Sequence, residues 1–301
     1  MMAQPLTARP TKPVRRPAHR LAVAALLAGL TITVAGFGTQ QPAGALARYD
    51  LDRGKGLQTK LARGLDEISG LAVMGDRVFG HGDERAVVYG IDLATGATTV
   101  AFAPGERGLR GDFEGVALAD GRMYLVTSGG VLIAFRTGRD GEGIPYETHR
   151  GLSERNCEVE GLEHDAATRS LLLACKTTGG RALRDRLVVF AYSLERLAPE
   201  AAPRYAIPLA DIARRGGGND LDPSGIAIHP VSHTLFVVAA RQKLIVEFGR
   251  DGRVLGTRAL PGRDHAQPEG IAFLEDGTML IADEAAGGRA TITRYPFGPS
   301  P

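Results

Sequence analysis

Five stretches of the chain share one pattern: EISGLAV (67–73), DFEGVAL (112–118), EVEGLEH (158–164), DPSGIAI (222–228) and QPEGIAF (267–273). Each reads acid or amide, any residue, Glu or Ser, Gly, aliphatic. The glycines are Gly70, Gly115, Gly161, Gly225 and Gly270, spaced by 45, 46, 64 and 45 residues. A period in the forties filled with short strands is the sequence pattern of a β-propeller, with one four-stranded blade per repeat.

Strands can be read outward from each glycine. In the last unit GIAFLE is a first strand, Asp276-Gly277 a turn, TMLIADE a second strand and ATITRYPF a third. Asp-Gly between two apolar runs is a strong hairpin signal. The second unit repeats the plan with GVALAD, MYLVTS, VLIAFRT and a fourth strand near PYETHRG, and the fourth unit with GIAIHP, TLFVVAA, LIVEFGR and VLGTRAL. The last unit stops after three strands, so the predicted fold is all-β: a five-bladed propeller closed by an N-terminal strand that completes the last blade. Arg48-Tyr49-Asp50-Leu51 is the segment expected to supply it. The long spacing between Gly161 and Gly225 fits two insertions, TTGGRALRD and LERLAPEAAPRYAIPLADIARRGGGND, the second with a short helix over ADIARR.

Upstream of the repeats, residues 1–20 are rich in Pro and Arg, and Leu21 to Gly38 is an 18-residue run without charge. QPAGALA follows, ending in Ala45-Leu46-Ala47. That order is a secretory signal with cleavage expected after Ala47; an uncleaved inner-membrane anchor over residues 21–38 is the alternative. The domain division is therefore 1–47 signal and 48–301 propeller, and the location exported, periplasmic or secreted. The leader holds five of the 36 Lys and Arg and no acid, which leaves 31 cations against 34 carboxylates in the rest. A slightly acidic remainder argues against a nucleic-acid partner. At 44% hydrophobic residues the chain can bury a core, which excludes wholesale disorder.

The positions one and three before each glycine are Glu67, Ser69, Asp112, Glu114, Glu158, Glu160, Asp222, Ser224, Gln267 and Glu269. Seven of these ten are carboxylates, against 34 of 301 in the whole chain, so chance is a poor explanation. The first strand of a blade is innermost, so these side chains should ring one mouth of the central channel. The second strand returns to that mouth and adds Asp83, Glu84, Asp283 and Glu284, with Glu269 expected opposite Asp283 and Glu67 opposite Glu84. Lys176 and Arg241 are partial counter-charges. Crowded carboxylates stay protonated, pair with cations, or bind a metal ion. Hard oxygen donors from several strands suit Ca²⁺, and Mg²⁺ or Mn²⁺ with stricter geometry. The candidate metal ligands are Glu114, Glu160, Glu269, Asp112, Glu158, Asp222, Glu67, Asp83 and Asp283. The alternative is that these acids only cap loops and accept N–H bonds at blade junctions.

The five motifs, extended to HGDE, EVEGLEHD, DPSGIAIHP and QPEGIAFLEDGTMLIADE, resemble the SdiA-regulated family of bacterial β-propellers over about residues 60–298. The resemblance implies a five-bladed propeller, an exported or membrane-anchored location and a bound calcium ion, with no established reaction. A looser similarity to esterase-like phytases and to gluconolactonase- and NHL-type propellers implies metal-assisted hydrolysis of esters, lactones or phosphoesters. In that case Glu114, Glu160 and Glu269 would be ligands, and His81 or Asp283 the base for a metal-bound water. Ser69 and Ser224 depart from such a pattern.

Cys157 and Cys175 lie in one hairpin, and export permits a disulfide. If Glu160 opposes Cys175 the thiols point apart; a slip of one residue makes them diagonal neighbours. His229 and His233 straddle a turn interrupted by Pro230, which reads as a solvated turn rather than zinc. His81 and His265 lie nearer the acidic mouth. The chain contains no G-x-S-x-G, P-loop or H-E-x-x-H motif. The function expected is a calcium-stabilised, monomeric binding module whose mouth takes a small molecule or an envelope protein. A metal-dependent hydrolase is the alternative.

Overall fold

The computed structural model describes residues 44–153 and 155–298. The leader read over residues 1–43 lies outside them. The described chain forms five sheets, antiparallel except where Glu142–Ile144 joins the first one parallel to Thr98–Pro104. The innermost strands are Ile68–Met74, Phe113–Ala119, Cys157–Asp165, Gly225–Ile228 and Pro268–Phe273. Each lies against the next, and Pro268–Phe273 lies against Ile68–Met74, so the ring closes. The second strands are Arg77–Gly82, Arg122–Thr127, Ser170–Thr178, Leu235–Ala239 and Met279–Asp283; the last two are buried on both faces, as their unbroken apolar sequence requires. Five buried clusters fill the five interfaces between neighbouring blades. The five-bladed reading is thus what the chain forms.

The closing strand is Leu57–Lys60, antiparallel to Thr291–Tyr295. It is not Arg48–Leu51: Ala45–Arg48 is a 3₁₀ turn, and Tyr49 and Leu51 fill the gap between the last two blades as core side chains. Closure removes the free edge of the Thr291–Tyr295 strand. The turns follow their residues. Ala119 pairs with Arg122 across Asp120 (φ 49°) and Gly121 (φ 76°), the two left-handed positions of a tight hairpin. The expected helix is Leu209–Ala213.

The repeat glycines meet at the axis. A Cβ on Gly115 would lie 2.6 Å from the Leu162 nitrogen, one on Gly161 3.1 Å from the Ile226 nitrogen, and one on Gly225 3.1 Å from the Glu269 carbonyl oxygen. Here glycine is required by close approach of backbones, not by a turn. The void left among them is about 10 Å³, room for about one water.

One feature of the innermost strands departs from plain alternation. Ile68 pairs with Gly82 and Gly70 with His81, so Ser69 is an extra residue, a β-bulge. Glu114 and Glu269 are looped out in the same way, and the register also shifts across Val159–Leu162. Asp283 therefore faces Pro268 rather than Glu269. In the third blade Val159 faces Cys175, the one-residue slip that brings the thiols together: Cys157 and Cys175 form a disulfide with a Cα–Cα distance of 5.2 Å.

Candidate functional site: a charged channel mouth

The bulges sort the acidic positions into two rings with different partners. The outer ring lies three residues before each glycine, and the second strand of the same blade supplies its contacts. Ser128 donates to Asp112 at 2.6 Å, Thr177 to Glu158 at 2.8 Å and Arg241 Nε to Asp222 at 2.5 Å. Arg241 also holds Asp220 at 2.8 Å. Gln267 donates to Glu284. In the first blade the neighbour is an acid: Asp83 raises the Glu67 pKa, and both stand at the rim. The Glu84 N–H donates to Asp83 at 2.7 Å.

The inner ring lies one residue before each glycine: Ser69, Glu114, Glu160, Ser224 and Glu269. The two serines are satisfied locally, Ser224 by donating to the Pro268 carbonyl at 2.7 Å and Ser69 by donating to Glu114 at 3.3 Å. The three glutamates are left facing one another's fields. Burial, then Glu160 and Asp112, push the Glu114 carboxyl up to about 9. Burial also raises Glu160, to about 7, although Lys176 Nζ donates to it at 2.9 Å. Glu269 is raised by burial and by Asp283 and Asp83, against the pull of Gln267 and Lys176. Glu284 is pushed to about 7, first by burial and then by Glu269. The mouth is thus over-supplied with negative charge, with Lys176 set among the acids; its Nζ is also 3.8 Å from Glu158.

These donors are all hard oxygens from adjacent strands, the right chemistry for Ca²⁺. Position is another matter. Lys176 Nζ occupies the place beside Glu160, and among the described residues no three His, Cys, Asp or Glu converge closely enough to hold a metal ion as they stand. A metal would have to draw Glu114, Glu160 and Glu269 together in place of that ammonium. Asp112, Glu158 and Asp222 are engaged by their own blades. Asp283 is turned inward, accepting from the Gln267 N–H at 3.1 Å and paired with His265 Nδ1 at 2.8 Å; His265 Nε2 in turn meets the Tyr295 hydroxyl at 2.7 Å. His81 is fully buried against Gly70, its pKa lowered to about 4 by that burial. Neither His81 nor Asp283 is open to solvent in the mouth. His229 sits on a turn, as read, yet is buried rather than solvated: Nε2 meets the Tyr49 hydroxyl at 2.8 Å, and Nδ1 accepts from the Ser232 N–H at 3.0 Å.

Two cavities open from the mouth. One of about 360 Å³ is lined by Glu160, Lys176, Asp222, Arg241, Gln267 and Glu269. The second, about 370 Å³, shares Lys176 and Asp222 and adds Arg181, Arg184 and Arg186. Arg181 and Arg184 come from the insertion between the second and third strands of the third blade, Arg186 opens the third strand, and all three are exposed. Sequence reasoning passed over them; the signal was three Arg within RALRDR, next to the mouth end of a second strand.

The fold and its mouth define a class: a five-bladed β-propeller with a charged channel mouth. The SdiA-regulated family model matches residues 201–294, which bears out the resemblance to that family over the fourth and fifth blades. No curated protein matches the chain. Among solved structures, the glutaminyl cyclase of Myxococcus xanthus is similar at 16% identity and a TM-score of 0.57, over 80% of this chain and 94% of that one. The PQQ-bound aldose sugar dehydrogenase of Streptomyces coelicolor is similar at 13% identity and a TM-score of 0.53, over 80% and 98%. At such identities the likeness is one of fold.

Proposed function

We propose that the chain is an exported, monomeric binding propeller whose acidic mouth takes a cation, Ca²⁺ first among candidates, as part of recognising a small charged ligand or an envelope partner. The observation that carries this is the inner ring: Glu114, Glu160 and Glu269 are half-buried or buried and raised in pKa, with Lys176 as the cation they share. A bound cation would let these carboxylates ionise where burial now opposes it. Glu114, Glu160 and Glu269 would hold the ion, while Asp112, Glu158 and Asp222 keep the strand ends in register. Arg181, Arg184 and Arg186 beside the same mouth suit the anionic end of a ligand. Calorimetric titration with CaCl₂ tests the reading: stoichiometric binding that Glu160→Gln weakens at least tenfold supports it, and no heat at millimolar Ca²⁺ contradicts it.

A further inference from the structure

The turn at Ala45–Arg48 bears on where the export signal is removed. Glu247, on the third strand of the fourth blade (Leu244–Phe248), is completely buried. Its Oε1 accepts from the Ala45 N–H at 2.8 Å and the Thr234 hydroxyl at 2.7 Å, and its Oε2 from the Leu46 N–H at 2.8 Å. Leu46 is 2% exposed and belongs to the cluster between the last two blades. A carboxylate with no contact to water needs these donors, because leaving a buried charge unpaired is among the costliest things a fold can do.

The sequence QPAGALA contains two overlapping A-x-A sites: Ala43-Gly44-Ala45 and Ala45-Leu46-Ala47. Their products differ. Cutting after Ala47 removes Ala45 and Leu46, takes a buried leucine out of the core and leaves Glu247 with Thr234 alone. Cutting after Ala45 keeps Leu46 in place. Hydrolysis of the Ala45–Leu46 bond adds water, giving the departing Ala45 its carboxylate and Leu46 an α-ammonium. That ammonium stands where a nitrogen already lies 2.8 Å from Glu247 Oε2, and it brings three donors and a full positive charge. The N–H of Ala45 is lost and a buried ion pair takes its place.

We propose that Ala45–Leu46 is the processing site, and that the new α-ammonium of Leu46 docks on Glu247 as the structural N-terminus of the propeller. This rests on the export reading above. The test is to express the full chain in an exporting host and measure the mass and N-terminal sequence of the exported protein. A mature chain beginning at Leu46 is expected. One beginning at Arg48 overturns the proposal while leaving export intact; an uncut chain retained in the cytoplasm overturns both. Two variants sharpen the result. Ala47→Leu changes an exposed residue and should be cut as before, whereas Ala43→Leu should block the cut at Leu46 or shift it. The reverse pattern contradicts the proposal. A second readout is chemical: the Leu46 α-amine should resist acylation under conditions that label surface lysines, and an α-amine labelled as fast as they are contradicts the docking.

Discussion

Single positions show how differently the same residue type is used along one strand. Glu160 faces the crowded mouth, and Glu163, three residues on, faces the opposite end of the channel. There it lines a space of about 110 Å³ with Leu71, Val116, Ile228 and Phe273. Burial pushes the Glu163 carboxyl up to about 8, although the His164 N–H donates to it. The sign follows from linkage. The folded state prefers the neutral acid more strongly than the unfolded chain does, so the stabilisation is full below the ordinary carboxylate range. It is lost as pH rises through about 8. Glu163→Gln should therefore match the parent in melting temperature near pH 5 and exceed it near pH 9. Equal melting curves at both pH values would show that the carboxyl is solvated. The axial glycines give a second test. Gly115→Ala would place a methyl 2.6 Å from backbone at Leu162, and overpacking of this kind costs about 1–3 kcal/mol. Urea unfolding measures it, and a neutral result would mean that the ring is looser than described.

Elements explain which parts of the site could be read in advance. The alternation of apolar residues, the Asp-Gly and Gly turns and the repeat period placed all five first strands and their hairpins. The register at the mouth was legible only to within one residue, because the bulges at Ser69, Glu114 and Glu269 add a residue that alternation cannot reveal. That single residue turns Asp283 away from Glu269 and toward His265. The shift across Val159–Leu162 is what lets Cys157 reach Cys175, so the disulfide hung on a detail that periodicity leaves open. The closing strand was misplaced because Arg48–Leu51 and Leu57–Lys60 are equally short and equally unpatterned; Tyr49 is large enough to fill core, and that decides between them. The disulfide pins the hairpin carrying Glu158, Glu160 and Lys176. Closing a loop across 18 residues is worth about 3 kcal/mol, so reduction should lower the melting temperature by roughly 6–12 °C. Thermal scans with and without reductant decide this, and an unchanged midpoint would mean that packing alone holds the hairpin.

At the scale of the whole molecule, fivefold repetition does two jobs. It closes the ring, innermost strand against innermost strand, and it carries the residue before each glycine to one axis. The repeats differ at that position: two serines bond to backbone or neighbour, and three glutamates are left around Lys176. Replacing Lys176 by Met removes the internal cation. The variant should melt below the parent in chelator at pH 8 and recover in CaCl₂, because the added ion replaces the lost ammonium. Recovery in sodium chloride alone would indicate general screening instead. The most direct measurement is the metal dependence of the parent protein itself: melting at pH 8 in chelator and in 1, 3 and 10 mM CaCl₂, alongside metal analysis of the purified chain. A midpoint that climbs with calcium in the parent and stays flat in a Glu114→Gln, Glu160→Gln, Glu269→Gln triple variant is what a cation-binding mouth requires. Identical curves for the two proteins, or no response to calcium in either, would contradict it.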